Sequence, residues 1–152
     1  MSIEVLVEND IAAVASILPK MWLSHTASDL VSESNLKSMS AYKYLKEALD
    51  DPNQILYVAR INNEVAGFIR CEIRETPHFY KERKEAYIDD LIVVEKYRRQ
   101  GIATKLVEEC ISWAGKKGVS LFTCKIWEFN EAPAKLFEKF GFRRDYSFYS
   151  RR

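Results

Sequence analysis

An apolar segment that runs into a short basic turn and then into a helix is the feature that most constrains this chain. Residues 86–94 are almost entirely apolar, apart from Asp89 and Asp90, and predict a buried strand. From Gly101 onward, apolar side chains recur every three or four residues, which predicts a helix that ends near Gly118. A buried strand that is joined to a helix by a tight turn is typical of α/β domains.

The turn itself has the properties of an anion-binding site. Gly101 and Ala103 carry no bulky side chain, so a ligand can approach the backbone closely. The first turn of a helix presents unpaired N–H groups and a partial positive charge, and Arg98 and Arg99 add charge beside it. A pyrophosphate group fits such a site. The alternative is a plain strand-to-helix turn with solvated arginines. The spacing excludes both the G-x-x-x-x-G-K-[ST] and the G-x-G-x-x-G phosphate-binding motifs.

Length and composition indicate one ordinary globular domain, residues 1–152. Hydrophobic residues make up 47% and charged residues 30% of the chain, which suits a single core. The net charge of +1 argues against a general nucleic-acid-binding or membrane-binding protein. The chain begins without a signal-peptide pattern and has no apolar run long enough to span a membrane, so we expect a cytoplasmic protein.

Cysteine and histidine usage argues against a metal site. The three cysteines are widely spaced, no pair has the C-x-x-C spacing, and the chain has only two histidines. This inventory does not match a zinc-binding pattern. We therefore expect no metal, and free thiols in a reducing compartment.

Hydrophobic periodicity predicts strands and helices in the order β-α-α-β-β-β-α-β-α-β. This order indicates a three-layer α/β domain with a central mixed sheet flanked by helices. The serine-rich segment 24–40 is interpreted as a loop, and Pro19 as the end or an interruption of the first helix. The predicted strands span residues 3–7, 54–61, 64–75, 86–94, 119–127 and 142–150. The predicted helices span residues 11–18, 42–49, 101–117 and 131–140.

Two motifs carry a resemblance to a known family. The first is Arg98-x-x-Gly101-x-Ala103, preceded by Leu91-x-Val93. The second comprises Asn130, Ala134, Leu136, Phe137, Lys139 and Gly141-Phe142. In this order, separated by one helix and one strand, they resemble the acetyl-CoA signature [QR]-x-x-G-x-[GA] and the later helix of the GCN5-related N-acetyltransferase (GNAT) superfamily. The predicted element order is also similar to that of the family over essentially the whole chain.

The resemblance implies an enzyme that transfers an acetyl group from acetyl-CoA to an amine. In the family, two central strands splay apart around the pantetheine arm, and here these strands would be residues 86–94 and 119–127. A backbone N–H near Val93 would stabilise the developing oxyanion. Asn130 is expected either to contact the cofactor or to cap its helix. The cofactor-binding residues implied by the resemblance are Leu91, Ile92, Val93, Arg98, Arg99, Gln100, Gly101, Ile102, Ala103, Thr104, Asn130 and Phe137.

A carboxylate is expected to remove a proton from the acceptor, because an alkylammonium with a pKa near ~10 must be deprotonated before it attacks a thioester. Asp89 and Asp90 lie on the strand that would carry the thioester. In a regular strand only one of them faces the cleft, and Asp89 shares the side of Leu91 and Val93. Asp89 is therefore the preferred base, unless a bulge shifts the alternation.

Two alternatives remain open for these carboxylates. Glu72, on the adjacent strand, is a third candidate base. Both aspartates would otherwise only pair with basic neighbours such as Arg70 or Arg74, because a buried charge is costly without a partner.

The residue that protonates the departing thiolate is not evident from the sequence. Many members of the family have a tyrosine for this purpose in the last helix, whereas the matching residue here is Phe137. The thiolate would then leave unassisted or through water, or Tyr146 or Tyr149 on the final strand would serve. Both tyrosines would otherwise pack or form hydrogen bonds at the surface.

The acceptor site is expected within residues 21–40, the part that shapes it in relatives. Trp22, His25 and Asp29 are the candidate contacts, and the carboxylates of Asp29 and Glu33 would attract a cationic amine. Alternatively, Trp22 belongs to the core or to an interface, and His25 is a hydrogen-bonded structural residue.

Several functions remain open at this stage. The acceptor is expected to be a small-molecule amine, and the alternative is a protein acetyltransferase that acts on an N-terminus or a lysine. A non-catalytic acyl-CoA sensor is a third alternative, since Phe137 cannot supply a proton. Family members are often dimers, and the final strand would be able to pair across a homodimer interface. No nucleic-acid partner and no membrane partner are expected.

Overall fold

A computed structural model describes residues 1–152, which form one central sheet with helices on both of its faces. The strands are β1 (Ser2–Val5), β2 (Gln54–Ile61), β3 (Glu64–Glu75), β4 (Lys84–Val93) and β5 (Leu121–Cys124). The α-helices are α1 (Ile11–Ser24), α2 (Glu33–Ser38), α3 (Ala41–Leu49), α4 (Ile102–Lys116) and α5 (Glu131–Lys139). No helix has the length and the apolar composition that crossing a membrane requires.

The strands are arranged in chain order, β1-β2-β3-β4-β5, and the sheet is mixed. Every neighbouring pair is antiparallel except β4 and β5, which are parallel and are connected through α4. A tight turn joins β2 to β3, α1 to α3 lie between β1 and β2, and the parallel pair needs the crossover helix α4. The predicted three-layer α/β architecture is confirmed.

Two separate apolar clusters fill the space on either side of the sheet. On one side, called the α4 face here, strand residues pack against α4 and α5, and buried members include Ile69, Ala86, Ile88, Ile102 and Leu106. On the other side, called the α1 face, strand residues pack against α1 and α3, and buried members include Leu18, Trp22, Leu45, Leu56 and Phe68. Neighbouring residues of a strand therefore belong to different clusters, as strand geometry requires.

The close approach of α4 to the sheet depends on Gly67 in β3. A Cβ atom at this position would lie 3.0 Å from the Ile92 carbonyl oxygen, 3.1 Å from Ile102 Cγ2 and 3.2 Å from Leu106 Cδ1. No larger residue fits without a shift of the helix or of β4. The absence of a side chain at Gly67 thus fixes the position of α4, and with it the position of the helix N-terminus.

The parallel pairing of β4 with β5 is short. It runs from Glu85 opposite Leu121 to Ile88 opposite Cys124 and then stops. The rest of β4, from Asp89 to Val93, has no partner on that side. The space beside this unpaired part of β4 is called the opening here. Its presence agrees with the expected separation of the two central strands.

The predicted final strand, residues 142–150, is wrong. Residues 143–152 have no regular secondary structure and all of them are exposed. Tyr146, Phe148 and Tyr149 are 70, 77 and 90% exposed. A strand needs a hydrogen-bonding neighbour and an apolar surface to bury, and within one copy of the chain this segment has neither.

The serine-rich segment 24–40 is not entirely a loop, and Pro19 does not end the first helix. Ser32 accepts a hydrogen bond from the backbone N–H of Asn35 at 3.2 Å and thereby caps α2. α1 continues through Pro19 because Leu18 and Trp22, four residues apart on one side of the helix, are both buried.

Candidate functional site

The glycine turn leaves the N-terminus of α4 open. Arg99 and Gly101 adopt left-handed conformations, with φ of 63° and 77°, which brings the chain sharply from the end of β4 into the helix. The first intrahelical hydrogen bond is donated by the Lys105 N–H to the Gly101 carbonyl at 3.1 Å, and no side chain caps the helix. The N–H groups of residues 102–104 are therefore free to bind an anion. A Cβ atom at Gly101 would meet nothing within 4 Å, so the approach to the backbone is unobstructed.

Backbone groups of β4 connect this turn to the opening. The Val94 N–H donates to the Ala66 carbonyl on β3 at 2.9 Å. Because successive peptide groups of a strand point to opposite edges, the N–H groups of Leu91 and Val93 point away from β3, into the opening. The Val93 carbonyl accepts a hydrogen bond from Arg98 Nε at 3.1 Å. The backbone N–H groups of Leu91 and Val93 can thus bind a carbonyl oxygen, and those of residues 102–104, further along the same stretch of chain, can bind an anion.

A bulge interrupts β4 at the two aspartates. Phe68 pairs with Ile92 and Arg70 with Asp89, so β4 contains one more residue than β3 between these pairs. Asp90 has a φ of 49°, which takes up the extra residue. As a consequence, Asp89 and Asp90 both lie on the α1 face. Regular alternation does not hold here, and Asp89 does not share the side of Leu91 and Val93, which pack toward the α4 face.

The guanidinium of Arg70 is the centre of a cluster of three carboxylates. Its NH2 group donates to Asp89 Oδ2 at 2.6 Å and its Nε donates to Asp90 Oδ2 at 3.1 Å. Its NH1 group donates to the side-chain oxygen of Gln54 at 2.9 Å and lies 3.8 Å from Glu72 Oε2. All three predicted base candidates therefore surround one cation. The alternative that both aspartates pair with Arg70 agrees with this geometry, whereas Arg74 pairs with Glu85 instead.

Asp90 is buried and its carboxylate is fully engaged. Trp22 Nε1 donates to Oδ1 at 3.3 Å, and the Tyr44 hydroxyl and Arg70 Nε both donate to Oδ2. Burial and then the neighbouring Asp89 charge raise the pKa of Asp90, against the opposing effects of Tyr44, Arg70 and Trp22. Burial and the Asp90 charge also raise the pKa of the Tyr44 hydroxyl. The contacts assign Asp90 to holding α1 and α3 against the sheet.

Asp89 and Glu72 remain accessible on the same face. The Asp89 side chain is 37% exposed and the Glu72 side chain is 31% exposed. Asp89 is the first residue of β4 beyond its last pair with β5, so its carboxylate lies where the opening begins. Glu72 pairs with Tyr87, further from the opening.

The residues expected to contact an acceptor lie in different environments. Trp22 is 5% exposed and belongs to the apolar cluster of the α1 face, so it supports Asp90 and does not line the surface. Asp29 forms an ion pair with Arg152 at 3.3 Å, and Glu33 forms one with Lys37 at 2.5 Å. His25 is half-buried.

The residues of the last helix and the tail also differ in accessibility. Phe137 is 4% exposed and packs edge-on against Phe142, with ring centroids 5.0 Å apart. Asn130 occupies the N-cap position of α5, but its side chain makes no capping hydrogen bond, so the amide is free for another partner. Tyr146 and Tyr149 lie on the exposed tail, and no contact of their hydroxyls supports the proton-donor alternative.

Trp127, which was not considered from the sequence, lies beside His25 at the end of α1. Phe122, Cys124 and Ile126 pack toward the α4 face, and Thr123 donates a hydrogen bond to Glu85 at 2.6 Å on the other side. Alternation therefore places Trp127 on the α1 face, the face of Asp89. Its ring lies 6.0 Å from that of His25, centroid to centroid. The alternation of residues 122–127 in the sequence could have predicted that Trp127 lies on the face opposite to Phe122, Cys124 and Ile126.

No group of three histidine, cysteine, aspartate or glutamate side chains is arranged to hold a metal ion. Two open surface clefts, one beside Arg74 and Glu75 and one beside Lys84 and Gly118, lie at the far end of β4 from the glycine turn. Neither is continuous with the opening. The opening and the α1 face around Asp89 are the candidate site because unpaired backbone N–H groups and accessible carboxylates meet there.

Comparison with known protein families agrees with this geometry. The family model described as acetyltransferase (GNAT) family matches residues 13–142, more than half of the chain. N-alpha-acetyltransferase 30 of Homo sapiens is 29% identical over 71% of this chain and 28% of its own length. Thialysine N-epsilon-acetyltransferase of Mus musculus is 31% identical over 38% of this chain and 34% of its own length. The chain spans less than half the length of these curated relatives.

Solved structures show the same fold at low sequence identity. A predicted acetyltransferase of Clostridium acetobutylicum, solved with acetyl-CoA, has a TM-score of 0.77 at 16% identity over 99% of this chain and 95% of that one. The aminoglycoside N-acetyltransferase AAC(6')-Iy, solved with CoA, has a TM-score of 0.73 at 16% identity over 99% of both chains. The similarity extends over the whole sheet and its flanking helices.

Proposed function

The chain belongs to the acetyltransferase (GNAT) family, and on this premise we propose that it transfers the acetyl group of acetyl-CoA to the primary amine of a small molecule. The observation that carries the proposal is the position of Asp89. A half-accessible carboxylate lies at the start of the opening, on a strand whose free N–H groups line the same opening. This arrangement supports the proposal because a carboxylate that could act as a base lies next to N–H groups that could bind an oxyanion.

The residues present fit acetyl-CoA, which supplies the activated acetyl thioester when it is bound. The free N–H groups at the start of α4, with Arg98 and Arg99 beside them, suit a pyrophosphate. The opening beside Leu91–Val93 offers peptide groups to an extended amide-containing arm. The Asn130 amide is a further available donor and acceptor. This assignment does not require a metal.

Within this proposal, Asp89 accepts the proton of the acceptor ammonium, directly or through a water molecule. Arg70 holds Oδ2 of the Asp89 carboxylate in place, and the Asp90 N–H donates to Oδ1 at 3.0 Å. The N–H groups of Leu91 and Val93 are the donors available to a developing oxyanion. Phe137 is buried and cannot donate a proton, so we propose that the thiolate leaves unassisted or is protonated by water. Glu72 is the second candidate base and would act through water from its more distant position.

A second candidate acceptor is a protein N-terminus. The similarity to N-alpha-acetyltransferase 30 over 71% of this chain favours it. The similarity to the thialysine and aminoglycoside enzymes favours a small molecule. We prefer the small molecule because the accessible carboxylates of Asp89 and Glu72 lie together on Arg70, where they offer a compact acidic contact to an amine.

Thiol release from acetyl-CoA tests the proposal. The purified protein would be mixed with acetyl-CoA and a panel of small primary amines, or with peptides that have a free N-terminus. Turnover is expected with at least one small amine and to be much slower with every peptide. Faster turnover with a peptide than with any small amine would show that the acceptor is a protein N-terminus. Acetyl-CoA binding without turnover on any acceptor would instead support a non-catalytic sensor.

We also propose a homodimer in which the exposed tail, residues 143–152, contacts the second copy. Its aromatic side chains are unusually exposed for a single chain. Light scattering after size-exclusion chromatography should give a dimer for the whole chain and a monomer after removal of residues 143–152. A monomeric whole chain would contradict the proposal.

We propose a location in the cytoplasm. All three cysteines are free, as expected in a reducing compartment. Fractionation of the source cells, followed by detection of the protein in the soluble cytoplasmic fraction, would test this.

A further inference from the structure

We propose that Gln54 is a positioning residue for the proposed base Asp89, which it orients through the guanidinium of Arg70. This inference rests on the proposed acetyltransferase function and assigns part of it to a residue that does not touch the substrate. Gln54 is the first residue of β2 and lies opposite Glu72 in β3. Its side chain bonds the same guanidinium that bonds Asp89.

The Gln54 amide connects a group that only accepts hydrogen bonds to a group that only donates them. Its nitrogen donates to Asp51 Oδ2 at 2.9 Å, and its oxygen accepts from the NH1 group of Arg70 at 2.9 Å. An ionised carboxylate has no donor and a guanidinium has no acceptor, so the amide fits between them in one orientation. The Asn53 N–H also donates to Asp51, at 2.9 Å, and holds this carboxylate at the turn before β2. Gln54 therefore ties Arg70 to that turn.

All three nitrogen atoms of the Arg70 guanidinium have a partner. Nε donates to Asp90 at 3.1 Å, the NH2 group donates to Asp89 at 2.6 Å, and the NH1 group donates to Gln54. The Tyr44 ring lies against the guanidinium, with its centroid 5.1 Å from Arg70 Cζ. The Arg70 side chain is only 11% exposed, so water competes little for these bonds. Because the guanidinium is planar and its N–H groups have fixed directions, the bond at NH1 restricts where NH2 points.

Gln54 also keeps the guanidinium away from a competing carboxylate. Glu72 Oε2 lies 3.8 Å from the NH1 atom of Arg70, which is beyond hydrogen-bond distance. Without the Gln54 oxygen, NH1 would turn toward Glu72, and NH2 would move with it. Asp89 would then keep the Asp90 N–H, which donates to Oδ1 at 3.0 Å, but would lose its second donor. A carboxylate that rotates is less often aligned with the proton that it must accept.

Gln54→Met tests the proposal, because methionine has a similar length but lacks the amide donor and acceptor. With acetyl-CoA and the small amine that the unaltered protein turns over fastest, kcat should fall about 10-fold, whereas the KM for acetyl-CoA should change less than about 2-fold. Thr123→Val is the matched control, since Thr123 is also a neutral group beside an arginine–carboxylate pair. It donates to Glu85 at 2.6 Å, and Glu85 pairs with Arg74. Thr123→Val should leave kcat unchanged, and an equal loss in both variants would overturn the proposal.

A double-mutant cycle shows whether Gln54 acts through Asp89. In the Asp89→Asn background, Gln54→Met should change kcat less than about 2-fold, because the carboxylate that it orients is absent. Arg70→Lys keeps the charge but has one nitrogen instead of three, and it should behave in the same way. Losses that add in the double variants, or an unchanged kcat in Gln54→Met, would overturn the proposal.

A ¹H–¹⁵N spectrum tests the contact with Arg70 without any acceptor and separates failure of this proposal from failure of the proposed function. When the two terminal groups of a guanidinium are held by different partners, its rotation is slow and their N–H signals are separate. The Arg70 signals, assigned with Arg70→Lys, should be separate in the unaltered protein and averaged in Gln54→Met. Separate signals in both proteins would overturn the proposal, whichever amine is acetylated. Averaged signals in Gln54→Met, with no turnover of any acceptor by the unaltered protein, would show that Gln54 orients Arg70 and that the acetyltransferase assignment fails.

Discussion

Asp89 and Asp90 are consecutive residues of β4, yet both side chains lie on the α1 face and both bond the guanidinium of Arg70. The bulge in β4 makes this possible because it adds a residue between the pairs with Phe68 and Arg70. One carboxylate is thereby anchored in the core between α1 and α3. The other is left half-exposed at the start of the opening. Two neighbouring acids are thus expected to have different roles.

Substitution of the two aspartates should separate catalysis from stability. Asp89→Asn removes the proposed base and should lower kcat/KM about 100-fold with little loss of stability, since general-base catalysis contributes that much or more. Asp90→Asn turns an NH2 group toward one or more donors and should lower the free energy of unfolding by about 1–3 kcal/mol. Thiol release and urea unfolding measure the two effects.

The exposed pair Lys43–Glu47, on α3, supplies the control for these variants. Glu47→Gln should change neither turnover nor stability measurably, because exposed ion pairs contribute little. If Asp89→Asn keeps full activity and only Glu72→Gln lowers kcat/KM, the base is Glu72 and not Asp89.

The stability that depends on Asp90 should increase as the pH falls. Burial and the charge of Asp89 raise the pKa of Asp90 in the folded protein above the ordinary value of 3.8. The folded state therefore binds this proton more tightly than the unfolded chain. The corresponding stability is complete below 3.8 and is lost as the pH rises through the raised pKa. The difference in unfolding free energy between the unaltered protein and Asp90→Asn should thus be larger near pH ~5 than near pH ~7.5.

Asp89→Asn provides an internal check on this pH dependence. It removes the repulsion between the two carboxylates and should lower the pKa of Asp90. Measured in the Asp89→Asn background, the effect of Asp90→Asn should therefore vary less with pH. An effect of Asp90→Asn that is the same at both pH values in the unaltered background would contradict the assignment of a raised pKa.

Replacement of Gly67 by alanine should destabilise the protein by about 1–3 kcal/mol, the usual cost of an overpacked core. The added methyl group would meet the Ile92 carbonyl at 3.0 Å and two side chains of α4. Gly115→Ala is the matched control, because it adds the same methyl group inside α4 where no atom lies within 4 Å. That variant should be stabilised by about 0.5–1 kcal/mol. Urea unfolding of both variants measures the difference between their free energies of unfolding. Equal free energies would show that α4 can move away from β3 without cost.

Gly101 and Gly118 allow backbone strain to be separated from ligand binding. Both have a φ of 77° and open space where a Cβ atom would be placed. Alanine at either position should therefore cost a similar strain energy, about 1–2 kcal/mol. Only Gly101 lies at the N-terminus of α4, so only Gly101→Ala should weaken the binding of CoA, by about ten-fold. Calorimetric titration with CoA measures this, and equal affinities in the two variants would remove the glycine turn from the proposed site.

The local parts of the fold were predictable from the sequence, and the long-range parts were not. The turn at Gly101 and the helix after it follow from short-range patterns, because left-handed glycine and helical periodicity are local properties. The bulge at Asp90 has no such signal, since no glycine marks it. Without the bulge, the shared position of Asp89 and Asp90 on Arg70 does not follow from alternation. The strand predicted for residues 142–150 failed because alternation specifies a strand only when a neighbouring strand exists.

The same distinction applies to the site: residues on one local motif were predictable from the sequence, whereas contacts between distant elements were not. Arg70 was considered only as an optional partner, although its position opposite Asp89 makes it the centre of the cluster. Tyr44 could not be connected to Asp90 because α3 is distant from β4 along the chain. Their proximity arises from the packing of α1 and α3 on one face of the sheet.

The extra residue in β4 also determines how related chains can diverge. Loss of a single codon between those for Ile88 and Ile92 would restore regular alternation and leave only one carboxylate of this stretch on the α1 face. A point mutation changes one side chain, whereas such a deletion would remove both the bulge and the carboxylate pair in one step. The acid pair on the α1 face therefore depends on the number of residues in this segment as well as on their identity.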